Sequence, residues 1–150
     1  MVFFPNHGNV GDHLITAATL HFFARIGTSV VSTFVEAEFC VLGGGGSLGT
    51  LYEPWMRWRD VAMHEAQAAG VPCVILPQSL TGGTTDVPPG TIIFARDHIS
   101  YERIPGSILA PDMALAIMVD RTLLPEPLSP IGTYLRDDVE KHAVSAELPA

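Results

Sequence analysis

Short apolar runs alternate with longer mixed segments along the chain, and Gly, Pro, Asn or Asp punctuates most of the changes. Val2–Phe4 reads as a first strand. Asp12 then opens a helix to about Arg25, with Leu14, Ala18, Phe22 and Ile26 at helical spacing as the inward face. Gly27 is placed to cap its C-terminus, and Arg25 meets the negative end of the helix dipole. Ile15 stands three places after Asp12, where a capping box would carry Glu or Gln, so Asp12 reads as a simple N-cap. The β-branched stretch Ser29–Val35 predicts a strand. Phe39–Leu42 predicts a second, fully apolar one that runs into the loop Gly43–Gly49. Pro54 suits the first turn of a helix ending before Gly70, with Trp55, Trp58, Ala62, Ala66 and Ala69 along one side; Trp55, Met56 and Trp58 read as core rather than interface. Val71–Leu76 is a buried strand closed by Pro77-Gln78-Ser79, and Thr81–Gly90 is loop. Thr91–Ala95 is a strand, followed by a short helix to about Arg103. Ser107–Leu109 is a last short strand, and Pro111 to about Val119 a helix. Strand and helix in alternation imply a parallel sheet with helices on both faces. This is an α/β, Rossmann-like domain over residues 1–122. Pro125, Pro127 and Pro130 stiffen a linker, 123–130, and 131–150 reads as the start of a truncated second domain. No internal repeat is evident.

Composition narrows the class. Hydrophobic residues make up 47% and charged residues 16%, which excludes a disordered chain. No apolar run reaches the ~18 residues of a membrane helix, and the first residues lack the basic leader and cleavage site of a signal peptide. The net charge of −8 comes from 8 basic against 16 acidic residues, with much of the surplus in Asp137, Asp138, Glu140 and Glu147. Nucleic acid, which demands a basic face, is therefore not the expected partner. Cys40 and Cys73 lie inside apolar runs and behave as small hydrophobes; a reduced cytoplasmic protein is favoured over a disulfide.

Candidate chemistry gathers at the ends of the predicted strands. Four successive glycines after an apolar strand allow backbone N–H groups to approach an anion, so Gly44, Gly45, Gly46 and Ser47 are candidate ligand contacts. The spacing is neither a dinucleotide fingerprint nor a P-loop. A tight turn with close strand–helix packing is the competing reading. In the first turn, Asn9 and Gly11 are candidate contacts and Asn6 and Asn9 can donate side-chain amides. Asp12 is equally a helix cap or a carboxylate that orients or deprotonates a sugar hydroxyl. His13 is a candidate acid or base, as is His7. The six histidines show no zinc spacing, and no metal is expected. Gln78 and Ser79 could hydrogen-bond a ligand. Arg96 could grip a phosphate or carboxylate, or instead pair with Asp97 or another local carboxylate. Asp112 is a further contact, or a helix cap.

In order, Gly8-Asn9-Val10-Gly11-Asp12, Gly43-Gly44-Gly45-Gly46-Ser47-Leu48-Gly49, Pro77-Gln78-Ser79, Ala95-Arg96-Asp97-x-x-Ser100 and Pro111-Asp112-Met113-Ala114 resemble the polysaccharide pyruvyl transferase family, from about Val2 to about Met118. Tyr134-Leu135-Arg136-Asp137-Asp138 is similar to the opening strand of that family's second domain. The resemblance implies a GT-B-like pair of domains with the active site between them. It implies transfer of pyruvyl from phosphoenolpyruvate, a donor substrate rather than a cofactor, to two hydroxyls of an exopolysaccharide or cell-wall sugar as a cyclic ketal. Within it, Asp12 and His13 become the catalytic candidates. Much of the family's basic donor site belongs to the C-terminal domain, so the chain either lacks that half or pairs with a second copy. The alternatives are a nucleotide-sugar glycosyltransferase of the same architecture and a non-catalytic binding domain.

Overall fold

The computed structural model describes residues 1–51, 53–83 and 86–117, with 53–56 as backbone alone. All of these lie in the unit Met1–Met118. The expected linker 123–130 and second-domain start 131–150 fall outside them. In chain order the elements are β1 (Val2–Phe4), α1 (Val10–Arg25), β2 (Cys40–Leu42), β3 (Gly45–Gly49), α2 (Glu53–Ala68), β4 (Cys73–Thr81), β5 (Ile92–Ala95), α3 (His98–Arg103) and β6 (Ile108–Leu109). The strands form a sheet in the order β1-β2-β4-β5-β6, with β3 also beside β4, and every described ladder is parallel.

Side-chain alternation along the strands divides the core into two layers. Cys40, Leu42, Cys73 and Ile75 face Ala62, Met63 and Ala66 of α2. Their neighbours Val41, Val74 and Leu76 pack with Met1 and with Phe23 of α1. Helices therefore cover both faces of a parallel sheet, as the apolar strand runs imply. Phe3 and Phe23 meet edge to face at 5.3 Å, which fastens the edge strand to α1.

Several expectations are corrected. The buried face of α1 is Ile15, Ala18, Thr19 and Phe23, whereas Leu14, Phe22 and Ile26 are exposed. This helix carries apolar residues nearly all round, so spacing alone could not choose between faces one residue apart. Ser29–Val35 forms no strand. Met1 donates to the Ser29 carbonyl and Val31 N–H to the Met1 carbonyl, after which a 3-10 turn, Phe34–Glu36, takes over and leaves Val35 97% exposed. β-branched residues favour a strand only where a pleated, half-buried surface receives them. The final segment is a 3-10 turn, Met113–Ala116, rather than a longer α-helix as far as residue 117.

The glycine-rich segment changes most. Residues 45–49 are a strand, not a loop, and β4 continues through Pro77 to Thr81 instead of ending there. β2 pairs with the first half of β4 and β3 with the second, so β2 and β3 occupy one strand position broken at Gly43–Gly44. Proline cannot donate to a ladder and sits where pairing is interrupted. Pro77 lies opposite this break, and the β4–β5 register shifts at the same point.

Candidate functional site

The break in the ladder is repaired by one side chain. The Gln78 amide Nε2 donates to the Gly43 carbonyl at 2.5 Å, and its Oε1 accepts from Ser47 N–H at 3.1 Å. Gln78 thus stands in for the ladder bonds that Pro77 and the glycine step forgo, and it is 2% exposed. Next to it, the Asn6 amide at the end of β1 donates to the Gly44 carbonyl at 2.8 Å and to Ser47 Oγ at 3.0 Å. Residues from β1, β3 and β4 are thereby tied together at the C-terminal end of the sheet, where open α/β sheets bind ligands.

The glycines are required by packing within the chain. A Cβ on Gly43 would lie 2.8 Å from Asn6 N, and one on Gly44 2.8 Å from the Pro77 carbonyl. Gly45, at φ +139°, would collide with Asn6 Nδ2 and approach Asp12 Oδ1 at 3.1 Å. Gly43, Gly44 and Gly45 are buried, whereas Gly46 and Ser47 are half-buried. Of the contacts expected in the segment 44–47, Gly46 and Ser47 retain an outward surface, and Gly11 in the first turn is exposed.

α1 begins one turn from this point. Its N-cap is Asn9, not Asp12: the Asn9 side-chain oxygen accepts from Gly11 N–H at 2.7 Å and Asp12 N–H at 3.4 Å. Asp12 is the third helical residue, and its Oδ2 accepts from Asn9 N–H at 3.0 Å, which completes a capping box. The other carboxylate oxygen lies on the side of Asn6 and Gly45. His13 is exposed and takes no part in these hydrogen bonds.

A second polar group follows on β4, β5 and the turn after β6. Arg96 Nε donates to Ser79 Oγ at 2.7 Å, and Arg96 Nη1 pairs with Asp112 Oδ2 at 2.7 Å. Asp112 also caps the 3-10 turn by accepting from Ala114 N–H at 2.8 Å. Arg96 therefore pairs with Asp112 rather than Asp97. Ser79 donates to Asp97 Oδ2 at 2.6 Å, and Ser100 supplies its N–H and hydroxyl to the same carboxylate at 2.8 and 2.9 Å. The Ser100 hydroxyl accepts from Leu80 N–H at 2.8 Å, fixing α3 to β4.

Burial raises the pKa of Asp97, but the hydrogen bonds from Ser79 and Ser100 and the charge of Arg96 outweigh it. The carboxyl is held below its ordinary 3.8. A depressed carboxyl stabilises the fold above its unfolded pKa, and that contribution disappears as pH falls through the lower folded value. Asp97→Asn is expected to flatten this part of the acid limb, read as Tm between neutral pH and about pH 2. An unchanged acid limb would place the loss on other carboxylates.

Two contributors escaped the sequence reading. Arg59 on α2 is 5% exposed, donates to the Ser47 carbonyl at 3.3 Å and pairs with Asp60 at 3.1 Å. Thr81 Oγ donates to the carbonyls of Gly46 at 2.9 Å and Leu48 at 3.3 Å. A lone arginine in an amphipathic helix carries no signal of burial. Asn6 was legible as a turn residue able to donate its side-chain amide, but not its acceptors, the Gly44 carbonyl and Ser47 Oγ. Among the described residues no three His, Cys, Asp or Glu side chains gather to hold a metal ion, and no helix is long and apolar enough to cross a membrane.

A family model described as polysaccharide pyruvyl transferase matches residues 9–147 of the chain. The chain belongs to the polysaccharide pyruvyl transferase family. Among solved structures it is similar to a functionally uncharacterised protein from Klebsiella pneumoniae subsp. pneumoniae NTUH-K2044, at 20% identity and a TM-score of 0.61. That similarity covers 96% of this chain and 62% of the other, so this pyruvyl transferase family member spans under two thirds of its structural relative; at such identity the likeness concerns the fold. No curated protein matches the chain.

Proposed function

We propose that the chain forms one wall of a pyruvyl transferase that takes phosphoenolpyruvate as donor and a sugar diol of an exopolysaccharide or cell-wall polysaccharide as acceptor. The family match over residues 9–147 is the observation that carries this reading. The proposal includes a second, GT-B-like domain closing the cleft, contributing much of the basic surface for the donor, and a cytoplasmic setting.

In the reaction, an acid protonates the enol methylene while one sugar hydroxyl attacks the adjacent carbon. The second hydroxyl then closes the ketal as phosphate leaves. Asp12 is the proposed acceptor-orienting base, since its Oδ1 is not spent on the capping bond and faces Asn6 and Gly45. His13, exposed beside it, is the proposed acid. Gly46 and Ser47 are half-buried at this point, where the Ser47 hydroxyl, which accepts from Asn6, can donate to the ligand. Ser79 and Asp112 occupy two of the five Arg96 donors, so an anion at Arg96 would share it with Asp112.

The test supplies phosphoenolpyruvate and a diol-bearing saccharide to the protein and follows acceptor-dependent phosphate release, together with the ketal methyl signal by NMR. Sugar transfer from a nucleotide sugar without ketal formation would assign the cleft to a glycosyltransferase. Binding without turnover would leave a non-catalytic domain. In the active protein, Asp12→Asn is expected to lower kcat about 100-fold while changing stability by under about 1 kcal/mol, because an amide oxygen can still accept from Asn9 N–H. Full activity in this variant would confine Asp12 to capping.

A further inference from the structure

The only two cysteines of the chain lie at the end of the sheet opposite the candidate site. Cys40 opens β2 and Cys73 opens β4, and they are direct register partners in a parallel ladder. Both belong to the layer beneath Ala62, Met63 and Ala66 of α2, so their side chains leave the sheet on the same face. Adjacent strands lie about 4.8 Å apart, inside the range of about 4.4–6.8 Å between Cα atoms that a disulfide spans. The two differ in access. Cys40 is 0% exposed, whereas Cys73 retains 6% and lines a cavity of about 260 Å³ with Met63, Gly70, Pro72, Pro88 and Thr91.

We propose that Cys73 is a peroxide-reactive thiol at the floor of this cavity and that Cys40 is its resolving partner, the two closing to a disulfide between β2 and β4. The Cys73 thiolate attacks one peroxide oxygen, the O–O bond breaks, and the departing oxygen leaves as water or an alcohol after taking a proton. Cys73 is then a sulfenic acid. The Cys40 sulfur attacks the Cys73 sulfur, the S–O bond breaks, and hydroxide leaves as water with the Cys40 proton. Two thiols lose two electrons in total, and one hydroperoxide gains them. The hydrogen bond between the thiols favours this division of roles. It raises Cys40, which burial raises further, and it lowers Cys73 against the opposing effect of burial. The thiolate, the form that attacks, is thus favoured on the residue that the cavity reaches.

The test exposes the full native chain to hydrogen peroxide, then denatures and alkylates it for intact mass and peptide mapping. The expected result is loss of both free thiols in the monomer, a mass lower by two hydrogens, and one peptide pair joined through Cys40 and Cys73 and released by dithiothreitol. In C40S, Cys73 is expected to stop as a sulfenic acid captured by dimedone, while Cys40 in C73S captures none at that dose. On the unmutated native chain, which needs no variant to fold, limited iodoacetamide labels Cys73 ahead of Cys40. The proposal is overturned if both thiols survive a dose that consumes free cysteine, if the bond forms between chains, or if Cys40 is labelled as fast as Cys73.

Discussion

Gly49→Ala is expected to cost about 3 kcal/mol or more, a large share of the stability of an ordinary small domain. Gly49 ends β3 at φ +109°, a conformation that L residues rarely adopt, and a Cβ there would run into the Thr81 carbonyl and lie 2.8 Å from the Gly83 carbonyl. Both obstacles are backbone at the end of β4, so neither can rotate away. Gly70→Ala is the matched control: its φ is +70° and nothing lies within 4 Å of the added carbon. That substitution bears only the left-handed backbone penalty of about 1–2 kcal/mol. Urea midpoints of the two variants separate close approach from conformation. Equal losses would show that the β3–β4 contact relaxes freely.

Gln78→Leu is expected to lose about 2–4 kcal/mol, since it leaves the Gly43 carbonyl and the Ser47 N–H without the partner that now satisfies them in a buried setting. Exposed Gln67 on α2 provides the comparison, because Gln67→Leu removes an amide that water can replace and changes stability by within about 0.5 kcal/mol. Denaturant melts of both variants check the difference. If Gln78→Leu proves equally mild, the break in the β2–β3 strand position does not depend on the amide. In a protein competent for turnover, the same variant tests whether Ser47 must be held in place for ligand to bind.

Legibility varied with how local each determinant is. The capping box was written in the sequence: Asn9 and Asp12 are three residues apart, and the decisive spacing runs back from Asp12 rather than forward to Ile15. Arg96 was legible as a cation at a strand end, but not its choice of Asp112 over the adjacent Asp97, because Asp112 is delivered by the turn after β6. Arg59 gave no sign, since only the packing of α2 over β3 buries it.

By itself the sequence determined the alternation of apolar strands and helices, a parallel sheet covered on both faces, and the ordered polar motifs that mark the family. These follow from spacing along the chain, which period and turn chemistry encode locally. Tertiary structure decided which face of α1 is buried, why Ser29–Val35 is not a strand, and that Gly45–Gly49 is one. Each of these depends on a neighbour distant in sequence. For the glycines the neighbour is β4, whose proline withholds an N–H and whose glutamine restores the missing bonds.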